Sequence, residues 1–127
     1  MAIHHISTPT EFQSLLEKTM YVVTDFYADW CGPCKTIAPI YEQFAKASTV
    51  PGYLAFAKVN VDHNQQIARQ YNVSAMPTFM FFKNGKQVGV NGQALIRGAD
   101  VPSLKAATAK LDKLAREKQA AGAKVGE

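Results

Sequence analysis

Eight consecutive residues, Tyr21-Val-Val-Thr-Asp-Phe-Tyr-Ala28, make a nearly unbroken apolar and β-branched run. A strand with one wet face would alternate polar and apolar side chains, so this run reads as a strand buried on both faces. Such a strand needs a covering layer above and below it, which directs the chain toward an α/β architecture. Leu54–Asp62 reads as a second buried strand. Helical periodicity fills the intervals. Ser7-Thr8-Pro9-Thr10-Glu11 is a helix start, with Thr8 as cap, Pro9 at the first helical position and Glu11 completing a capping box. Phe12, Leu15 and Leu16 follow on one face, as far as about Lys18.

A second helix carries Ile37, Ile40, Tyr41 and Phe44 on one side, with Pro39 expected to kink it. Gln65–Tyr71 reads as a short helix, and Ile3–Ile6 as a short edge strand. Thr78–Phe82 and Gln87–Val90 flank Lys83-Asn84-Gly85-Lys86, where Asn-Gly marks a hairpin. Leu104, Ala107, Leu111 and Leu114 form the stripe of a last helix. The order β-α-β-α-β-α-β-β-α predicts a mixed five-stranded sheet with helices on both faces. Residues 1–114 form one domain in this reading, and residues 115–127 a basic Ala/Lys-rich helical extension expected to fray.

The 127 residues are 47% hydrophobic and 19% charged, enough apolar material for one core. No apolar run approaches the ~20 residues of a membrane span. The N-terminus lacks a basic segment followed by an apolar one, so no secretory signal is expected and a reducing cytosol is the default compartment. Of the net charge of +4, residues 105–127 supply three units, from six Lys/Arg against three Asp/Glu. The body is near neutral, so the charge is read as a solvated basic helix face and not as a nucleic-acid footprint.

The chemistry concentrates in Trp30-Cys31-Gly32-Pro33-Cys34, which holds both cysteines of the chain. A structural staple closing so short a loop would contribute roughly 2 kcal/mol before strain. A structural zinc site needs about four ligands, and His4, His5 and His63 do not recur at ligand spacing. A dithiol/disulfide couple is the favoured reading, with a metal site as the alternative. The pair falls where a strand hands over to a helix, so free N–H groups and the helix dipole stabilise a thiolate. Cys31 is expected to be the exposed nucleophile and Cys34 the shielded partner. Pro33 fixes φ and limits rearrangement.

Read together, Asp25-Phe-Tyr-Ala-Asp-Trp-Cys-Gly-Pro-Cys34, Lys58-Val-Asn-Val-Asp62, Met76-Pro-Thr78, Phe82-Lys-Asn-Gly85 and Gly98-Ala99 resemble the thioredoxin family over about residues 3–114. The resemblance implies a small cytosolic protein-disulfide reductase that needs no bound cofactor and acts as a monomer. It implies electrons from NADPH through thioredoxin reductase, and disulfide clients such as peroxiredoxins and ribonucleotide reductase. Nucleic acid and membranes are not expected partners. A redox-gated interaction module without obligatory turnover is the alternative function.

Asp25 in a buried strand is costly unless paired. It either faces solvent at a strand edge or, as the resemblance implies, sits beneath Cys34 and exchanges its proton. The resemblance places Lys58 beside that carboxylate, the alternative being an exposed strand lysine. It also implies a cis Met76-Pro77 bond and an apolar substrate rim of Trp30, Gly32, Met76, Gly98 and Ala99, where Trp30 could otherwise be core filler. Tyr27 stands where many thioredoxins have a second tryptophan. Twelve residues separate Gly85 from Gly98, several more than is usual, so the last strand is expected to be extended, bulged or looped out and to reshape one side of the substrate groove.

Overall fold

The computed structural model describes residues 2–127. Its centre is β2 (Tyr21–Tyr27), hydrogen-bonded on both sides: parallel to β3 (Leu54–Asn60) and antiparallel to β4 (Thr78–Lys83). β1 (Ile3–Ile6) pairs parallel with β3 and forms one edge of the sheet. Alternation along β2 sends Tyr21 and Val23 to one face and Val22 and Phe26 to the other. The first face packs under α2 (Gly32–Ser48) and α4 (Val101–Ala120), around Ile37, Tyr41, Leu104 and Leu111. The second packs under α1 (Pro9–Lys18) and α3 (Gln65–Gln70), around Phe12, Leu16 and Ile67. The two-faced burial read from the sequence is therefore met by helices on both sides.

Local chemistry sets the element ends. The Thr8 hydroxyl accepts from the Glu11 N–H at 3.1 Å, while the Glu11 carboxylate accepts from the Ser7 N–H at 3.3 Å. α2 continues unbroken through Pro39. β3 stops at Asn60, two residues before the expected Asp62. There the Asn60 side-chain carbonyl accepts from the Asp62 N–H at 3.0 Å and turns the chain.

The strand count differs from expectation: the sheet has six strands, not five. β5 (Lys86–Val88) and β6 (Leu95–Arg97) both run antiparallel to β4 along the same edge. Val88 pairs with Phe81 and Leu95 with Met80, its neighbour on β4. They are two halves of one edge strand, with residues 89–94 looped out between them. The loop turns at Asn91 (φ 53°) and Gly92 (φ 78°) and is closed by reciprocal Val90–Gln93 backbone hydrogen bonds of 2.9 and 3.0 Å. It lies against the C-terminal half of α4 and not beside the cysteines, where the expected reshaping of the substrate groove would have put it.

Past Leu114, α4 continues to Ala120 with Ala115 buried against the core. The following residues fold back onto the body. The Tyr53 hydroxyl donates to the Ala123 carbonyl at 2.7 Å, and the Gly126 N–H donates to Asn84 Oδ1 at 2.8 Å.

Candidate active site

β2 ends at Tyr27, and the chain then makes a short turn before α2 begins at Gly32. Cys31 is the N-cap of that helix and Pro33 lies in its first turn, where the missing proline N–H costs nothing. Cys34 follows one position later. Its N–H, a donor that the helix leaves unused, points at Cys31 Sγ from 3.2 Å. The two sulfurs are joined in a disulfide, with Cα atoms 5.3 Å apart. On reduction the same N–H and the positive end of the helix dipole favour a Cys31 thiolate.

Exposure does not separate the two cysteines as expected: each is 4% exposed. Their surroundings do separate them. Cys31 Sγ lies 3.5 Å from the Met76 carbonyl oxygen, on the side facing the Met76–Pro77 loop. Cys34 instead lines a cleft of about 310 Å³ with Tyr27, Lys35, Ala38 and Lys58.

Opposite Cys31, the Met76–Pro77 peptide is cis. Gly98, at φ +86°, donates its N–H to the Pro77 carbonyl at 2.8 Å, a backbone conformation that side chains rarely adopt. This locks the end of β6 to the start of β4 and brings the Gly98 backbone beside Pro77. Met76 packs against the small buried cluster of Ala28, Cys31 and Cys34. Gly32 leaves open space where a Cβ would project. Ala99, the residue after Gly98, is partly buried and packs against the main core. Trp30 is 69% exposed and so is not core filler. Its indole N–H donates to Asp62 Oδ2 at 2.9 Å, which tethers an otherwise free ring. No local sequence signal marks Asp62 as the tryptophan's anchor, since the two residues are 32 apart in sequence.

Asp25 is 0% exposed, which removes the strand-edge reading. It alternates in phase with Val23 along β2 and so points to the α2/α4 face. Among the described residues neither carboxylate oxygen has a hydrogen-bond partner. Tyr41, buried nearby, places its hydroxyl 2.8 Å from the Ala57 carbonyl and 3.1 Å from the Val23 carbonyl, so its one proton is committed to backbone. Burial pushes the Asp25 pKa up to about 7 from 3.8, and the nearby Lys58 ammonium pulls part of the way back. Lys58 stands directly across the β2–β3 ladder from Asp25, and its ammonium lies 4.3 Å from the centre of the Tyr27 ring. Tyr27 thus acts as a platform for Lys58, a contact that no local sequence signal marks.

A disulfide capping a helix, with a cis-proline loop alongside and a protonatable buried carboxyl on the sheet face that the helix covers, defines a thiol–disulfide oxidoreductase. Comparison with known proteins agrees. Residues 3–100 match the family described as Thioredoxin. Thioredoxin of Neurospora crassa is 64% identical over 119 residues, 94% of either chain. A thioredoxin-like protein of Fusarium culmorum is 62% identical, over 95% of this chain and 99% of its own. The solved Plasmodium falciparum thioredoxin superposes with a TM-score of 0.75 at 36% identity, over 84% of this chain and 97% of its own. The chain belongs to the thioredoxin family.

Among the described residues, no group of three or more His, Cys, Asp or Glu side chains could hold a metal ion, and no helix is long and apolar enough to cross a membrane.

Proposed function

We propose that the protein is a cytoplasmic, monomeric protein-disulfide reductase in which Cys31 attacks and Cys34 resolves. The observation that carries this reading is the Cys34 N–H directed at Cys31 Sγ at the start of α2. That donor stabilises charge on Cys31 in preference to Cys34. The Cys31 thiolate attacks one sulfur of a client disulfide; the client S–S bond breaks and the other client sulfur leaves as a thiolate. The Cys34 thiol then gives its proton to Asp25 and attacks Cys31 Sγ. The mixed disulfide breaks, the second client thiolate departs, and the protein keeps the Cys31–Cys34 disulfide. Two electrons have passed to the client, and no bound cofactor is required.

A carboxyl that titrates near neutrality is suited to accept that proton, with Lys58 biasing it toward the ionised form. Trp30, Met76, Gly32 and the Gly98 backbone surround the disulfide as an open, largely apolar surface for an extended client segment. Thioredoxin reductase, fed by NADPH, restores the dithiol. Peroxiredoxins and ribonucleotide reductase are among the clients this reading implies. Insulin-disulfide reduction coupled to NADPH oxidation by a thioredoxin reductase tests it. Wild type should turn over, Cys31→Ser should not, and Cys34→Ser should accumulate client adducts that dithiothreitol releases. Absence of such adducts would refute the two-step route.

A further inference from the structure

The looped-out segment and the far half of α4 together build a feature at the pole opposite the disulfide. Tyr21 opens β2, at the far end of the strand from the cysteines, and Lys83 closes the antiparallel β4 beside it. Here a groove of about 430 Å³ runs between the edge strand and α4. Its floor is apolar, made by Tyr21, Val88, Val90, Leu111 and Leu114. Its charged lining consists of Lys83, Lys110 and Lys118, with no carboxylate. Lys110, Leu111, Leu114 and Lys118 recur at helical spacing, so one stripe of α4 supplies both the grease and the charge.

Among the described residues none of these three lysines has an ion-pair partner. The ion pairs among the described residues join Lys46 to Glu42 and Arg116 to Asp112, elsewhere on the surface. Lys83 makes only a distant approach to the Tyr21 ring, 5.8 Å from its centre. Three ammonium groups around an apolar floor complement a ligand that joins aliphatic groups to carboxylates. The neighbouring strand narrows the choice further. β5 ends the path of paired strands, so its outer backbone N–H and C=O groups face no partner strand. Those groups can be used by a polypeptide but not by an alkyl chain.

We propose that this groove docks an acidic, leucine-bearing segment of a partner protein. The aliphatic side chains seat on Leu111, Leu114 and Val88, and the flanking carboxylates meet Lys83, Lys110 and Lys118. Because the groove lies at the opposite pole, a docked partner leaves Cys31 free to react. A partner held there presents its own disulfides at raised effective concentration.

The test titrates the full-length oxidised protein with a fluorescein-labelled peptide, Ac-ELEDLLEDLE-NH2, alongside the same peptide with every leucine replaced by serine. The leucine peptide should bind saturably, and the serine peptide at least about tenfold more weakly. The Lys110→Glu/Lys118→Glu double variant should lose about tenfold or more in affinity, retain its circular dichroism spectrum, and reduce insulin at the wild-type rate. Amide shifts induced by the peptide should gather at residues 86–91 and 110–118. The proposal is overturned if no saturation appears up to about 1 mM peptide. Equal binding of the serine peptide, shifts centred on Trp30 and Met76, or displacement by laurate at lower concentration than by unlabelled peptide would each overturn it as well.

Discussion

Asp25 keeps a proton in the folded protein that an unfolded chain would already have released. Burial lifts its pKa from 3.8 to about 7, against the opposing pull of Lys58. Between those values the folded state binds more protons than the unfolded state, so stability falls as pH rises. The contribution of the neutral carboxyl is fully present below pH about 4 and is lost as pH rises through about 7. A shift of this size corresponds to at most about 4 kcal/mol. Asp25→Asn keeps the shape without the titration. In urea unfolding of the oxidised proteins, the variant should exceed wild type by up to that amount at pH 8 and by little at pH 4; a pH-independent difference would show that the carboxyl does not titrate as described. Trp30 offers a second test at this scale, because it is the only tryptophan in the chain and its emission reports one site. Losing the 2.9 Å bond from its indole should release the ring. Asp62→Ala is therefore expected to lower Trp30 fluorescence anisotropy and raise acrylamide quenching, with stability changed by about 1 kcal/mol or less.

The interrupted edge strand shows how an insertion can enter a sheet without disturbing it. Val88 and Leu95 pair with adjacent residues of β4, and they point to opposite faces as neighbours in a strand must: Val88 packs with Phe81 on the α2/α4 side, Leu95 with Met80 on the α1/α3 side. Removing residues 89–94 would therefore join β5 to β6 in register. The loss is mainly Val90, a buried contributor to the core. The deletion should fold, lose about 1–3 kcal/mol in chemical denaturation, and reduce insulin as wild type does; failure to fold would mean that the loop holds the edge together. Much of the architecture was legible beforehand, because two doubly buried strands and the capped helices leave strong periodic signals. The Cys31/Cys34 pair and the buried carboxylate were legible for the same reason, being anomalies against an apolar background. The long interval between Gly85 and Gly98 admits a looped-out segment, yet the Asn-Gly signal in Val90-Asn91-Gly92-Gln93 does not by itself place the turn there. An apolar Val90 beside Val88 extended the apparent strand and concealed the break. Contacts between distant segments, such as Trp30 with Asp62 and Lys58 with Tyr27, have no local signature.

At the scale of the whole molecule, the two poles are built from different parts of the chain. The cysteine pole uses strand ends, the start of α2 and the cis-proline loop. The opposite pole uses the 83–94 region and the end of α4, and it is closed by the C-terminal residues folding back. That closure rests on two hydrogen bonds, Tyr53 hydroxyl to Ala123 carbonyl and Gly126 N–H to Asn84 Oδ1, with Ala123 packed on the core. The segment carries few bulky side chains, and its attachment is mostly through backbone groups. Two such bonds contribute about 1–3 kcal/mol together, less the entropy of ordering the exposed residues around them. Truncation after Ala120 is thus expected to destabilise the protein by about 1–2 kcal/mol, a fall in Tm of roughly 3–7 °C for a domain of this size. Tyr53→Phe in the full-length chain should reproduce part of that fall, and in the truncated chain should add almost nothing. Insulin reduction should be unchanged in all three, since no residue involved belongs to the cysteine pole. A Tyr53→Phe effect of equal size in full-length and truncated chains would show that the hydroxyl stabilises something other than the folded-back terminus.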